Sequence, residues 1–143
     1  MSEIVMVGVD GSNTAFKAAS RAADIAEGLN AELAVLTAHV KENTEVIKIG
    51  NDTWILDDAK QAQKMAERVA AKLREEHPDL IIRPVAVRGK PQEALVEEAA
   101  RVGAGLLVVG NVGLKGLGRV LGSVANSVAR NAPCDVLIVR TDR

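Results

Sequence analysis

The fold is decided by the stretch Val108-Val109-Gly110-Asn111-Val112-Gly113 and by the loop after it, which carries Lys115 and Arg119 and leads to Gly122 and Ser123. An apolar run ends here at a glycine, and a glycine-rich loop opens onto a segment with helical spacing. Glycine permits backbone angles and close approaches that a Cβ atom would block. Free backbone N–H groups in such a loop, beside a helix N-terminus, favour an anion, most often a phosphate. The stretch therefore predicts phosphate or nucleotide binding at the end of a strand.

The rest of the chain repeats this alternation of short apolar runs and helical segments. Runs typical of buried strands lie at residues 4–9, 33–40, 80–87, 106–109 and 136–139. Helical spacing of apolar residues falls between them, at residues 15–29, 56–76, 91–102 and from 121 to before Pro133. Residues 41–53 are mostly polar, and we expect a loop there. Such alternation predicts an α/β fold, a parallel sheet with helices on both faces.

The order of the strands determines which motifs meet. We expect a single domain over residues 1–143, with an open sheet of five parallel strands in the order 3-2-1-4-5. Pro84 inside the third strand fits an edge position. The first and fourth strands are neighbours in this order, and ligands bind at the carboxyl ends of such strands, where the winding direction reverses. Asp10-Gly11-Ser12, after the first strand, should therefore lie beside the glycine loop.

Composition excludes several classes of function. A net charge of −1 and only two aromatic residues, Phe16 and Trp54, argue against a nucleic-acid or acidic membrane surface. A single cysteine, Cys134, excludes an intrachain disulfide framework. No segment is typical of a signal peptide or a membrane span. We therefore expect a cytoplasmic protein with no nucleic-acid and no membrane partner.

The combined motifs resemble the universal stress protein family, in its nucleotide-binding branch. The resemblance rests on Val9-Asp10-Gly11-Ser12, on His39-Val40, on Val87-Arg88-Gly89-Lys90-Pro91 and on Gly110-x-x-Gly113 with Gly122-Ser123. Eight residues, 114–121, separate the second and third glycines of the last motif, where that branch usually has nine. The resemblance implies a Rossmann-like fold, a homodimer formed through the last strand, and binding of ATP or another adenine nucleotide. Some relatives look more like cyclic-AMP binders, and the sequence leaves that choice open.

The resemblance also implies positions for the ligand. Asp10 would lie near the ribose or a phosphate, and as a carboxylate at a strand end it is also a candidate ligand for Mg²⁺. Val40 would contact the base, and Gly122, Ser123 and Val124 would bind phosphates through backbone N–H groups and the Ser123 hydroxyl. The candidate cofactor-binding residues are Val9, Asp10, Ser12, Val40, Gly89, Gly110, Asn111, Gly113, Arg119, Gly122, Ser123 and Val124.

Each of these residues also has a purely structural interpretation. Asp10 suits a turn, Ser123 suits the N-cap of the fourth helix, and Arg119 suits a solvated surface. His39 fits a structural or base-lining role better than a catalytic one. Three functions therefore stay open: a nucleotide-binding regulatory module acting as a homodimer, which we favour, a slow ATP hydrolase or phosphotransferase, and a ligand-free dimeric interaction protein. The chain lacks a Gly-Lys-Ser/Thr phosphate-loop motif, which argues against efficient phosphoryl transfer.

Overall fold

The described part of the chain contains seven strands and four helices. The computed structural model describes residues 3–40, 44–49, 52–112 and 121–141, and for residues 44–57 only the backbone. The elements are β1 (Ile4–Gly8), α1 (Asn13–Gly28), β2 (Glu32–His39), β3 (Thr44–Ile49), β4 (Asp52–Asp57), α2 (Asp58–Glu76), β5 (Ile82–Arg88), α3 (Pro91–Val102), β6 (Leu106–Gly110), α4 (Ser123–Asn131) and β7 (Asp135–Val139).

Five of the strands form one parallel sheet in the order β5-β2-β1-β6-β7. Counted along this sheet alone, that is the predicted order 3-2-1-4-5, so the predicted fold class is confirmed. The register places Val7 of β1 between Val35 of β2 and Val108 of β6. Pro84 lies in β5 at the edge of the sheet, where a missing backbone N–H costs no bond to a further strand.

Two apolar clusters cover the two faces of the sheet. Successive residues of a strand point to opposite faces, so neighbouring residues enter different clusters. The face under α1 and α2, here called the α1–α2 face, packs Val5, Val7, Val35, Ala22 and Leu73. The face under α3 and α4, here called the α3–α4 face, packs Met6, Leu36, Leu107, Leu95 and Ala125. In the described residues, no helix has the length and apolar content needed to cross a bilayer.

The prediction of a loop over residues 41–53 is wrong where the structure describes this segment. β3 and β4 pair there as an antiparallel hairpin, in which Thr44 lies opposite Asp57 and Ile47 lies opposite Trp54. Helix α2 accordingly begins at Asp58, two residues later than the helical spacing predicts. A hairpin can bury one face only, so it needs apolar residues only at every second position along each strand. A polar-rich segment can therefore form a hairpin without a continuous apolar run.

Candidate functional site

A cavity of about 490 Å³ opens at the carboxyl ends of β1, β2 and β6. Its volume falls in the usual range for small-molecule sites. The wall includes residues from both faces of the sheet, such as Met65 of α2 and Leu95 of α3. The cavity therefore lies at the switch point between β1 and β6, where the predicted motifs were expected to meet.

The turn after β1 fixes a carboxylate in the cavity wall. Ser12 is the N-cap of α1, since its Oγ accepts a hydrogen bond from the N–H of Ala15 at 3.1 Å. The same residue donates to Oδ1 of Asp10 twice, from its N–H at 2.9 Å and from its hydroxyl at 2.5 Å. Gly11 between them has a φ of +86°, which residues with a Cβ rarely adopt. Asp10 is thus held in one orientation while it stays exposed to the cavity.

The segment after β6 ties the site to the end of the chain's last strand. The N–H of Asn111 donates to the carbonyl of Val139 at 2.9 Å, and its Oδ1 accepts from the N–H of Thr141 at 2.8 Å. Its carbonyl accepts from the N–H of Gly122 at 2.7 Å. This last bond corrects one expectation, because the Gly122 N–H is engaged within the protein and is not free for a phosphate. Gly122 and Gly110 both line the cavity.

The N-terminus of α4 opens into the same cavity. Gly122 is its N-cap residue, and among the described residues no side chain caps the helix. The interpretation of Ser123 as the N-cap is therefore wrong, and Ser123 is instead the first helical residue. The first N–H groups of a helix lack intrahelical acceptors, and the helix dipole makes this end attractive to anions. Ser123 and Val124 both line the cavity, so the first turn of α4 forms part of its wall.

The remaining predicted residues fall into three groups. Val9 and Val40 line the cavity, Val9 buried and Val40 61% exposed at the end of β2. Gly89 follows β5 directly and donates its N–H to the carbonyl of His39 at 2.8 Å. Neither Gly89 nor Asn111 is among the described lining residues. Gly113 and Arg119, together with Lys115, lie outside the described residues.

Sequence reasoning missed the part of the wall that α2 supplies. Asp58, Gln61 and Met65 line the cavity from the first turns of this helix. The hairpin was not predicted, so the sequence did not show where α2 begins. The residues in the first turns of α2 also match no known binding motif. Thr37 also went unnoticed, although it follows four apolar residues of β2 and lines the cavity too.

These features define the class of protein to which the chain belongs. Five parallel strands in this order, with helices on both faces and a cavity at the switch point, make a doubly wound, Rossmann-like α/β domain. A model of the universal stress protein family matches residues 1–140, and the chain belongs to that family. The resemblance seen in the sequence motifs is thereby confirmed.

Individual relatives are similar over most of their length. The universal stress protein Rv1636 of Mycobacterium tuberculosis is 38% identical over 148 residues, which cover 96% of this chain and 95% of that protein. The universal stress protein MJ0531 of Methanocaldococcus jannaschii is 33% identical, with 95% and 81% covered. A crystal structure of a universal stress protein in complex with cAMP is 37% identical, with a TM-score of 0.74 and 99% and 98% of the two chains covered.

Proposed function

We propose that this protein binds an adenine nucleotide, ATP or a relative such as cyclic AMP, as a regulatory protein of the stress response. The observation that carries the proposal is the meeting of a fixed carboxylate, Asp10, with the uncapped N-terminus of α4 in one cavity. The relative that was crystallised with cAMP is 37% identical to this chain, which supports the same class of ligand.

Each part of a nucleotide finds a complementary part of the wall. The phosphates are proposed to lie at the N–H groups of Ser123 and Val124, where the helix dipole favours negative charge. The ribose hydroxyls are proposed to donate to Asp10, as they do to the acidic residue of many dinucleotide sites. The β2 side of the cavity, which ends at Val40, then remains for the base.

Asp10 is also the proposed ligand for Mg²⁺ when a di- or triphosphate is bound. Its two hydrogen bonds from Ser12 both end on Oδ1, which leaves Oδ2 as the oxygen offered to a cation. Magnesium is usually held by one or two carboxylates together with substrate phosphates. Among the described residues no group of three His, Cys, Asp or Glu side chains could hold a metal alone, so the cation would depend on the nucleotide.

We propose that two copies of the chain associate through β7 and that the dimer is cytoplasmic. β7 is the outer strand of the sheet beyond β6, and Val136 and Ile138 on it stay partly exposed. An edge strand presents unpaired backbone groups that a second copy can complete. A bound nucleotide near the end of β6 could then alter the dimer through Asn111, which links β6 to Val139 and Thr141.

The experiment is a calorimetric titration of the purified protein with ATP, ADP, AMP and cyclic AMP, each with and without Mg²⁺. We expect at least one dissociation constant below the millimolar range, and mass spectrometry of the denatured protein should identify a released adenine nucleotide. At a hundred times its dissociation constant, the ligand should stabilise the fold by about 2.7 kcal/mol. Binding of none of the four would contradict the proposal and favour a ligand-free interaction protein. Magnesium-dependent phosphate release that Asp10→Ala abolishes would identify a slow hydrolase instead.

A further inference from the structure

Beside the cavity, β2 carries two buried polar atoms that lack a hydrogen-bond partner among the described residues. Among the described residues, neither Oγ1 of Thr37 nor Nδ1 of His39 has a partner. Both residues line the cavity, and Thr37 as a whole is only 8% exposed. The two therefore share one wall of the proposed nucleotide site.

Their position on the strand places them on one side of the sheet. Val35 packs on the α1–α2 face, and side chains two residues apart on a strand point to the same face. Thr37 and His39 therefore point toward that face, where Gln61 and Met65 of α2 line the opposite wall. The uncapped N-terminus of α4 lies on the other face, so the two polar atoms are remote from the proposed phosphate position.

The energetics require a partner for these atoms. A buried donor or acceptor that is left unsatisfied costs about 1–3 kcal/mol, and most buried polar groups in proteins are paired. From α2, which covers this face, the described cavity wall receives the apolar side chains of Ala62 and Met65 and the polar side chain of Gln61, and neither polar atom hydrogen-bonds to Gln61. A partner from inside the cavity would remove the penalty for both atoms at once.

We propose that Thr37 and His39 recognise the polar edge of the nucleotide base. The edge of adenine carries an exocyclic amino donor next to a ring nitrogen acceptor. The Thr37 hydroxyl donates to the ring nitrogen, and Nδ1 of His39 accepts from the amino group, which is the tautomer with the proton on Nε2. This inference rests on the proposed function, and it assigns specificity for the base to two side chains of β2.

The test for His39 combines substitutions of this residue with removal of the amino group from the base. Affinity is measured for the adenine nucleotide that binds best and for its purine analogue, in which hydrogen replaces the amino group. We expect the wild-type protein to bind the analogue about tenfold more weakly. His39→Leu should bind both ligands equally. His39→Asn is the matched control, because an Asn amide places a polar atom near the position of Nδ1, and it should keep the preference.

The test for Thr37 separates a ligand contact from a structural role. Thr37→Val keeps the shape but removes the hydroxyl, so we expect about tenfold weaker binding of the adenine nucleotide. The ligand-free variant should melt at the same or a higher temperature, because an unpaired buried hydroxyl has been replaced by a methyl group. Thr37→Ser keeps the hydroxyl and should bind as the wild type does.

Three results would overturn the inference, and they are distinguishable. If the wild type binds adenine nucleotides and His39→Leu keeps its preference for the amino group, the base is recognised elsewhere. If Thr37→Val lowers the melting temperature of the ligand-free protein, the hydroxyl has a partner within the chain. If the wild type binds no adenine nucleotide at all, the proposed function fails and this inference fails with it.

Discussion

At the scale of single residues, His77 connects two helices through charge. It follows α2 directly and is buried, with its Nδ1 in contact with the carboxylate of Glu27 and its Nε2 3.2 Å from Oδ1 of Asp24. The hydrogen bond with Glu27 raises the pKa of His77 above 6.5, burial opposes this, and the charges of Glu27, Asp24 and Glu76 add to the rise. The folded protein therefore favours the charged imidazole.

Because its pKa is higher in the folded state, His77 should make stability depend on pH. Its stabilising effect is fully present below the unfolded value of about 6.5 and is lost as pH rises through the folded pKa. We expect the difference in unfolding free energy between wild type and His77→Gln to be largest near about pH 5.5 and to shrink by about pH 9. Urea denaturation across this range measures it.

Glu27→Gln provides the control for this prediction. It keeps the size of the side chain and removes the charge that contributes most to the shift. In that background, the stability difference caused by His77→Gln should vary much less with pH. A difference between wild type and His77→Gln that stays constant over the whole range would contradict a charged link between α1 and α2.

At the scale of elements, α4 is the helix whose end is proposed to bind phosphates. Its N-cap, Gly122, has φ −60° and ψ 154°, which is the extended conformation that a residue before proline requires. Ser123 is the first helical residue, a position where proline is tolerated because the missing N–H has no intrahelical acceptor. A proline can therefore be placed at the proposed phosphate site without breaking the helix.

Ser123→Pro should separate the binding role of this helix end from its folding role. The variant loses one N–H and one hydroxyl, and we expect its nucleotide affinity to fall about tenfold or more because charge-assisted hydrogen bonds to phosphate are lost. Ser123→Ala removes only the hydroxyl and should weaken binding less. Calorimetry measures the affinities, and circular dichroism checks that the helix content is unchanged. Undiminished affinity in the proline variant would place the phosphates away from α4.

At the scale of the whole molecule, β7 is the strand proposed to join two copies. The carbonyl of Val139 accepts a hydrogen bond from Asn111 and therefore points toward β6. Backbone groups of a strand alternate in direction, so Val136 and Ile138 present theirs to the open edge. Proline at position 136 would remove an outward N–H and leave the bonds to β6 in place.

Val136→Pro should therefore weaken the dimer and preserve the fold. Sedimentation velocity of the wild type should show twice the chain mass of 15.1 kDa. The dissociation constant of the variant dimer should be about tenfold higher or more. Leu137→Pro is the contrasting variant, because it removes an N–H that faces β6 and should lower the melting temperature as well. A monomeric wild type, or a Val136→Pro dimer of undiminished strength, would exclude pairing through this edge.

The architecture was predictable because it depends on short-range patterns. Short apolar runs alternating with helical spacing indicated a parallel sheet, and Pro84 correctly indicated its edge strand. The hairpin formed by β3 and β4 was not predicted, because its polar-rich sequence lacks the apolar run that marks a buried strand. The role of Ser12 as the N-cap of α1 became clear only from its hydrogen bond with the N–H of Ala15.

The sequence by itself determined the fold class, the family and the edge of the sheet where the motifs meet, since each of these follows from residue types at fixed spacings. Only the tertiary structure decided which polar groups are hydrogen-bonded within the protein and which residues line the cavity. It engaged the N–H of Gly122 with Asn111 and placed Gly89 outside the described cavity wall. It also brought Thr37 and His39 to the cavity with no partner, in the described part of the chain, for Oγ1 and Nδ1. A hydrogen bond depends on where distant segments pack, and spacing along one segment does not contain that information.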